Sequence, residues 1–217
     1  MFDTMQANVL IADDHPLFRA AMRQAMNDIV KGKISEVATL DEAVAHLEKD
    51  SAIDLVFLDI NMPGNAGLTG LAELRSRHPD LLVVVVSAEE SPVLIERSVT
   101  LGASGYIPKS TPLPLIAEAV ELVLEGEQWL PSGWNDALIT NVPTSDNQFT
   151  KGLAQLTPHQ FKVLKMIADG LLNKQIAYEL DISESTVKQH VSAVLRKLGV
   201  INRTKAGVLF NQLMQNE

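Results

Sequence analysis

The chain has 217 residues, 46% hydrophobic and 21% charged, with 12 glycines, 10 prolines and no cysteine. That is globular composition for one large domain or two modest ones, and it excludes disordered and collagen-like chains. Without cysteine there are no disulfides, thiolate zinc sites, iron–sulfur clusters or cysteine nucleophiles. The longest purely aliphatic run is Leu81 to Val86, against about twenty residues for a membrane helix. Met1 to Gln6 carries no secretory pattern, so a cytoplasmic chain without a membrane partner is expected.

The net charge of −9 is unevenly divided: residues 1–130 carry −11, residues 131–150 carry −2 and residues 151–217 carry +4. An acidic first part and a basic last part imply two domains with different partners, the basic one suited to a polyanion.

In chain order, apolar runs at Asn8–Ala12, Ile34–Thr39, Asp54–Leu58, Leu81–Val86 and Gly105–Ile107 read as strands. Their mostly continuous apolarity suits parallel strands covered on both faces. Between and after them, helical periodicity marks Leu17–Ile29, Asp41–Glu48, Leu68–Arg77, Val93–Leu101 and Leu113–Leu124. This alternation predicts an α/β domain over residues 1–130, a doubly wound five-stranded parallel sheet of flavodoxin-like order 2-1-3-4-5. Residues 131–151 gain Pro, Ser, Thr and Asn and read as a linker, docked in part through Trp134 and Leu138–Ile139. Residues 152–217 read as an all-α domain of four helices. Thr157, with Pro158 and Gln160, forms a capping box; Gly170 ends that helix. Asn173 is placed to cap a short helix to Leu180, and Ser183 a longer one that Gly199 stops. A last helix covers about Thr204–Met214.

Asp13 and Asp14 follow the first strand and Asp59 ends the third. Ligands of a doubly wound sheet gather where the winding reverses, between those two strands, so the three carboxylates are expected to converge. Converging carboxylates need a cation, and hard oxygen ligands suit Mg²⁺. Ser87 ends the fourth strand and Lys109 follows the fifth, adding a hydroxyl and an ammonium to the same rim. The set fits phosphoryl transfer to Asp59. Read singly, each aspartate is equally a helix cap or solvated surface. Gly64, Gly67 and Gly70 imitate a phosphate loop, but their spacing is wrong and no Gly-Lys-Ser/Thr follows.

With these residues in view, Leu10–Pro16 (LIADDHP), Leu58–Gly64 (LDINMPG), Val86-Ser87-Ala88 and Gly105–Lys109 (GYIPK) resemble the receiver domain of bacterial response regulators over about residues 7–125. The resemblance implies that Asp59 accepts phosphate from a sensor histidine kinase. It implies Mg²⁺ held by Asp14, Asp59 and the carbonyl of Asn61, with Asp13 reaching it through water. It also implies a switch pair: Ser87 moving onto the phosphoryl group and Tyr106 turning inward. Tyr106 reads alternatively as a packing aromatic. Relatives often have proline after the lysine, where this chain has Ser110, so no cis peptide is expected there.

In Glu184–Leu198 the buried stripe is Val187, Val191, Val194, Leu195 and Leu198. Ser185, Lys188, Gln189, Ser192 and Arg196 form an opposite stripe free of acids. Such a helix, after a short turn and another helix, fits the major groove; an ordinary solvated face has the same look. Leu156-Thr-Pro, Ile167–Gly170, Asn173–Ala177, Ile182–His190 and Lys197–Arg203 resemble the LuxR-type DNA-binding domain over roughly 152–215. The resemblance makes Glu184–Leu198 the recognition helix, with Lys188, Gln189 and Ser192 at bases. Lys174, Ser185, Thr186 and Arg196 fall at phosphates, and Thr204–Met214 becomes a dimerisation helix. His190, beside buried Val191, reads as structural.

Together the two halves are similar to the NarL/FixJ class of transcriptional response regulators. Such a chain implies Mg²⁺ as cofactor, and a sensor histidine kinase, double-stranded promoter DNA, a second copy of itself and RNA polymerase as partners. It acts on no external substrate. Two rivals remain: a phosphorylation-dependent protein adaptor that has lost DNA, and a Mg²⁺-dependent aspartyl-phosphate phosphotransferase. The second lacks an acid two residues after Asp59, where Asn61 stands. The opposite charges of the halves also let the receiver fold back over Lys188 and Gln189 and block DNA.

Overall fold

A computed structural model describes residues 6–134 and 146–215. Five strands, β1 (Val9–Ala12), β2 (Ile34–Val37), β3 (Leu55–Asp59), β4 (Leu82–Ser87) and β5 (Gly105–Pro108), pair in parallel in the order β2-β1-β3-β4-β5. They alternate with α1 (Pro16–Met26), α2 (Leu40–Lys49), α3 (Thr69–Arg77), α4 (Pro92–Thr100) and α5 (Leu113–Leu124). This is the doubly wound sheet that the apolar runs predict.

The period-two alternation of a strand sends its apolar side chains to both faces of this sheet. Val9, Ile11, Leu55, Phe57, Val84 and Ile107 meet Met22 and Met26 of α1 and Ile116 and Val120 of α5. Leu10, Ala12, Val56, Leu58 and Val85 meet Ala43, Leu71 and Ile95 of α2, α3 and α4. With both faces covered, the polar ends of the strands are the place left for chemistry.

The second half contains α6 (Asp146–Ala154), α7 (Pro158–Ala168), α8 (Asn173–Leu180), α9 (Glu184–Leu198) and α10 (Arg203–Gln215). Its core joins Val163, Leu164, Ile176, Val187, Val191, Val194, Leu198 and Phe210. The Thr157 capping box is present, with Gln160 N donating to Thr157 Oγ1 at 3.3 Å and Thr157 N to Gln160 Oε1 at 3.1 Å. Ser183 caps α9 by accepting from Thr186 N at 3.1 Å, and Gly199 ends it at φ 66°.

Two local expectations are corrected. Helix α6 begins inside the segment read as a linker. Its polar start hid it, and it is held by buried Phe149 and by the close approach of Gly152, where a Cβ would stand 2.4 Å from Lys197 O. Asn173 is not the cap of α8 but its first residue; Leu172 N donates to Gln175 Oε1 at 2.7 Å, which leaves the Asn173 amide free for other work. Trp134 does pack against the receiver core, whereas Leu138–Ile139 lies outside the described residues.

Candidate functional site

Parallel pairing places Ala12 opposite Leu58, so the next residues, Asp13 and Asp59, leave neighbouring strands side by side. Asp13, Asp14, His15 and Asp59 each present a donor atom within 4.8 Å of the others. Asp13 and Asp59 are only 1% exposed, so water screens their repulsion poorly. Lys109 compensates: its Nζ lies 2.8 Å from Asp13 Oδ2 and 2.9 Å from Asp59 Oδ2. The lysine is aimed by a backbone bond from its N–H to Ser87 O at 2.7 Å and by the Phe18 ring, 5.2 Å from the ammonium. Burial pulls the Lys109 pKa down, but hydrogen bonds and charge from Asp13 and Asp59 outweigh it and hold the ammonium above its ordinary value.

Asp59 Oδ1 accepts from Asn61 N at 3.0 Å, and Asp59 O accepts from Asn65 Nδ2 at 2.9 Å. Ser87 is buried at the same end of the sheet, its Oγ accepting from Glu89 N at 3.0 Å. Tyr106 already stands inward: the residue is 0% exposed and its hydroxyl donates to Glu89 O at 2.6 Å. Burial pushes that phenol's pKa up. Thus the structure gathers Asp13, Asp14, Asp59, Asn61, Ser87, Tyr106 and Lys109 at one end of the sheet.

Two neighbours escape a reading of the sequence. His15 Nδ1 lies 2.7 Å from Asp14 Oδ1 and 3.2 Å from Lys109 Nζ; its position next to Asp14 was the available signal. Asn65 carried none, because only the folded β3–α3 loop turns its amide back onto Asp59 O. Asp13 Oδ2 and Asp14 Oδ1 are buried, and each faces one nitrogen, Lys109 Nζ at 2.8 Å and His15 Nδ1 at 2.7 Å. Carboxylate oxygens with lone pairs to spare, clustered this closely, fit a hard divalent cation.

In the helical half, Ser185, Gln189 and Arg196 are exposed along α9, and Lys174, Thr186, Lys188 and Ser192 are partly so. The Ser185 and Thr186 hydroxyls lie 2.8 and 2.7 Å from the capping Ser183 Oγ. His190 stacks near His159, with ring centroids 6.3 Å apart. Asp181, in the left-handed region at φ 53°, makes the turn from α8 towards α9.

The family description "Response regulator receiver domain" matches residues 9–121, and "Bacterial regulatory proteins, luxR family" matches residues 154–210. The chain is a LuxR-type response regulator. As such it is a transcriptional regulator of two-component systems, with a DNA-binding domain after its receiver. It is 45% identical over 206 residues to the "Glycerol metabolism activator" of Pseudomonas putida, covering 91% of this chain and 92% of that one. It is 32% identical to the "Nitrate/nitrite response regulator protein NarL" of Escherichia coli K12, covering 95% of each. Its fold resembles that of RcsB from Salmonella enterica serovar Typhimurium, solved bound to a promoter with the phosphomimetic BeF3⁻. That likeness has TM-score 0.55 at 23% identity, covering 96% of this chain and 99% of that one.

The two halves of this response regulator are docked. Lys188 Nζ of α9 donates to Ser51 O and lies 3.7 Å from Asp80 Oδ2. Lys174 Nζ is 3.3 Å from Asp54 Oδ2, and Asn173 Nδ2 donates to Asp80 Oδ2 at 2.8 Å. Buried Arg203 donates to Asn173 Oδ1 at 3.3 Å and to Leu171 O. Burial raises the Asp54 carboxyl above its usual range, with Asn8 N and Lys174 acting in the opposite direction. Away from the charges, Leu172 joins the receiver core beside Trp129, and Gly126 meets Gly170 backbone to backbone. Asn202 Nδ2 donates to Gly102 O at 2.7 Å, and Thr204 Oγ1 to Ser104 Oγ at 3.1 Å. The docked receiver therefore covers Lys188 but leaves Gln189 exposed.

Proposed function

We propose that this response regulator receives a phosphoryl group on Asp59 from a sensor histidine kinase and thereby gains access to promoter DNA. The observation carrying this reading is the buried Asp59 carboxylate, ringed by acids and held 2.9 Å from Lys109 Nζ. A carboxylate oxygen of Asp59 attacks the phosphorus of phosphohistidine; a P–O bond forms, the P–N bond breaks and the freed imidazole takes up a proton. Lys109 neutralises charge on the transferred oxygens and Ser87 supplies a hydroxyl to them. Asp14, Asp59 and the Asn61 carbonyl would hold Mg²⁺, Asp13 acting through water, and the ion would add charge neutralisation. Ser87 and Tyr106 form the switch pair, with Tyr106 starting from its buried position against Glu89 O. The receiver acts on its own acyl phosphate and turns over no external substrate.

Residues 1–130 serve as receiver and residues 146–217, starting at α6, as DNA-binding domain of a cytoplasmic protein. Lys188, Gln189 and Ser192 face bases; Lys174, Ser185, Thr186 and Arg196 face phosphates. In the docked state Lys174 and Lys188 are occupied by Asp54, Asp80 and Ser51 O, so docking opposes DNA binding. Phosphorylation shifts that equilibrium, and two copies joined through α10 bind a paired site near RNA polymerase.

Incubation with acetyl phosphate and Mg²⁺ should add one base-labile phosphoryl group. Asp59→Asn should abolish it, while Asp14→Ala should first weaken Mg²⁺ binding. Undiminished labelling of Asp59→Asn would move the acceptor elsewhere, and steady turnover of phosphate esters would restore the enzymatic rival.

A further inference from the structure

A cavity of about 260 Å³ lies on the seam between the two halves, away from both the acidic site and the DNA-facing surface of α9. The receiver contributes Val99 of α4 with Glu127 and Gln128 beyond α5; the helical half contributes Ile201 and, from α10, Lys205, Val208 and Leu209. Neither half encloses it alone. Gln128 Nε2 is spent within the receiver on Ala103 O at 3.2 Å, and Asn202 Nδ2 crosses the seam to Gly102 O at 2.7 Å.

Lys205 is the unusual element. Its side chain is half-buried against apolar walls, and among the described residues no carboxylate lies within ion-pair distance of its ammonium. Burial alone lowers its pKa. Glu127, the acid of the lining, sits on the exposed rim. A half-buried cation without a counter-ion, over a floor of Val99, Val208 and Leu209, fits one ligand chemistry: a carboxylate on an apolar tail.

We propose that this cavity binds a small amphiphilic carboxylate, head on Lys205 and tail between the domains, and that the ligand is a co-repressor that fastens the docked state. The proposal rests on docking as the resting state. Because both halves build the cavity, a ligand at a hundred times its Kd raises the docked population over the open one by roughly 100-fold. Kinase input and metabolite input would then meet on one equilibrium.

The probe is octanoate, titrated calorimetrically into the unphosphorylated full-length protein, with amide NMR shifts and small-angle X-ray scattering on the same samples. One equivalent should bind, shifting Val99 and Gln128 in the receiver together with Val208 and Leu209 in α10. Octylammonium should not bind. Lys205→Met should weaken octanoate at least tenfold and Lys205→Arg should largely retain it, both with the dispersed spectrum of a folded chain. Should Lys205→Met misfold, filling the space with Val208→Trp should exclude octanoate instead. Absence of binding, shifts confined to one domain, or undiminished binding to folded Lys205→Met overturns the proposal. A compact particle that ignores octanoate sinks the cavity and leaves docking intact. An extended particle that octanoate compacts supports the cavity and removes docking as the resting state, and one that stays extended removes both.

Discussion

Asp80 holds two elements of the helical half at once, accepting from Asn173 at 2.8 Å and lying 3.7 Å from Lys188 Nζ. A hydrogen bond to a charged group is worth about 1.5–3 kcal/mol, whereas the longer, partly exposed ion pair adds less. Asp80→Ala should therefore loosen docking and raise the half-site affinity of the unphosphorylated protein roughly tenfold, about 1.4 kcal/mol. Fluorescence anisotropy reads this directly, and an unchanged affinity would remove Asp80 from control. His78 stands beside the same contact. Burial lowers its pKa; Lys188, Arg75 and Arg77 lower it further, and Asp80 acts against them. Of these charges Lys188 is the one that docking brings, so the docked protein favours neutral imidazole more than the open one. Its contribution is complete above the ordinary histidine value of about 6.5 and is lost as pH falls through the lowered one. Docking, followed by scattering, should weaken on acidification below neutrality, and His78→Gln should flatten that dependence.

Between the two halves, glycines allow a close backbone approach. A Cβ on Gly170, at φ +79°, would stand 2.2 Å from Glu125 O, and one on Gly126, at φ +88°, would stand 3.2 Å from Gly170 Cα. Gly126→Ala adds left-handed strain of about 1 kcal/mol and forces the turn after α5 away from the end of α7. It should raise DNA affinity in the unphosphorylated chain while leaving Asp59 phosphorylation intact; unaltered binding would show that the seam has slack. The strands and most helices were legible because continuous apolar runs and caps such as Thr157 and Ser183 act locally. Asp13, Asp59, Ser87 and Lys109 were legible because each ends a strand whose partners follow from the winding. Asn173 and α6 were not: the Asn173 amide is taken by Asp80, 93 residues earlier in the chain, and α6 exists through the docking of Phe149. Sequence periodicity reports neighbours along an element, not partners that folding brings from elsewhere.

For the whole molecule, halves carrying −11 and +4 attract, yet screening is severe beyond about 8 Å at physiological salt. Leu172, the Gly126–Gly170 contact and the Asn202–Gly102 bond supply the short-range part. Residues 146–217 alone, with α6 and Phe149 intact, should bind a half-site at least as tightly as the unphosphorylated full-length protein. Weaker binding by the fragment would make the receiver a helper and not a mask. The intact protein should also show a shallower dependence of log affinity on log salt than the fragment. On the proposed function, salt weakens its internal Lys174 and Lys188 pairs while it weakens the same cations' attraction to nucleic acid.

On the proposed function, Lys188 has one ammonium and two suitors, Ser51 O with Asp80 inside the molecule and nucleic acid outside it. A promoter with enough affinity of its own would take that cation without any signal, and a poor promoter would wait until most copies carried phosphate. Apparent affinity falls by the fraction of molecules that are open, equally for every site, so the ranking of promoters is untouched while the dose of signal each one needs is spread out. A contested lysine would thereby give the genes under this regulator a firing order, written in their operators and adjustable by mutation of DNA alone.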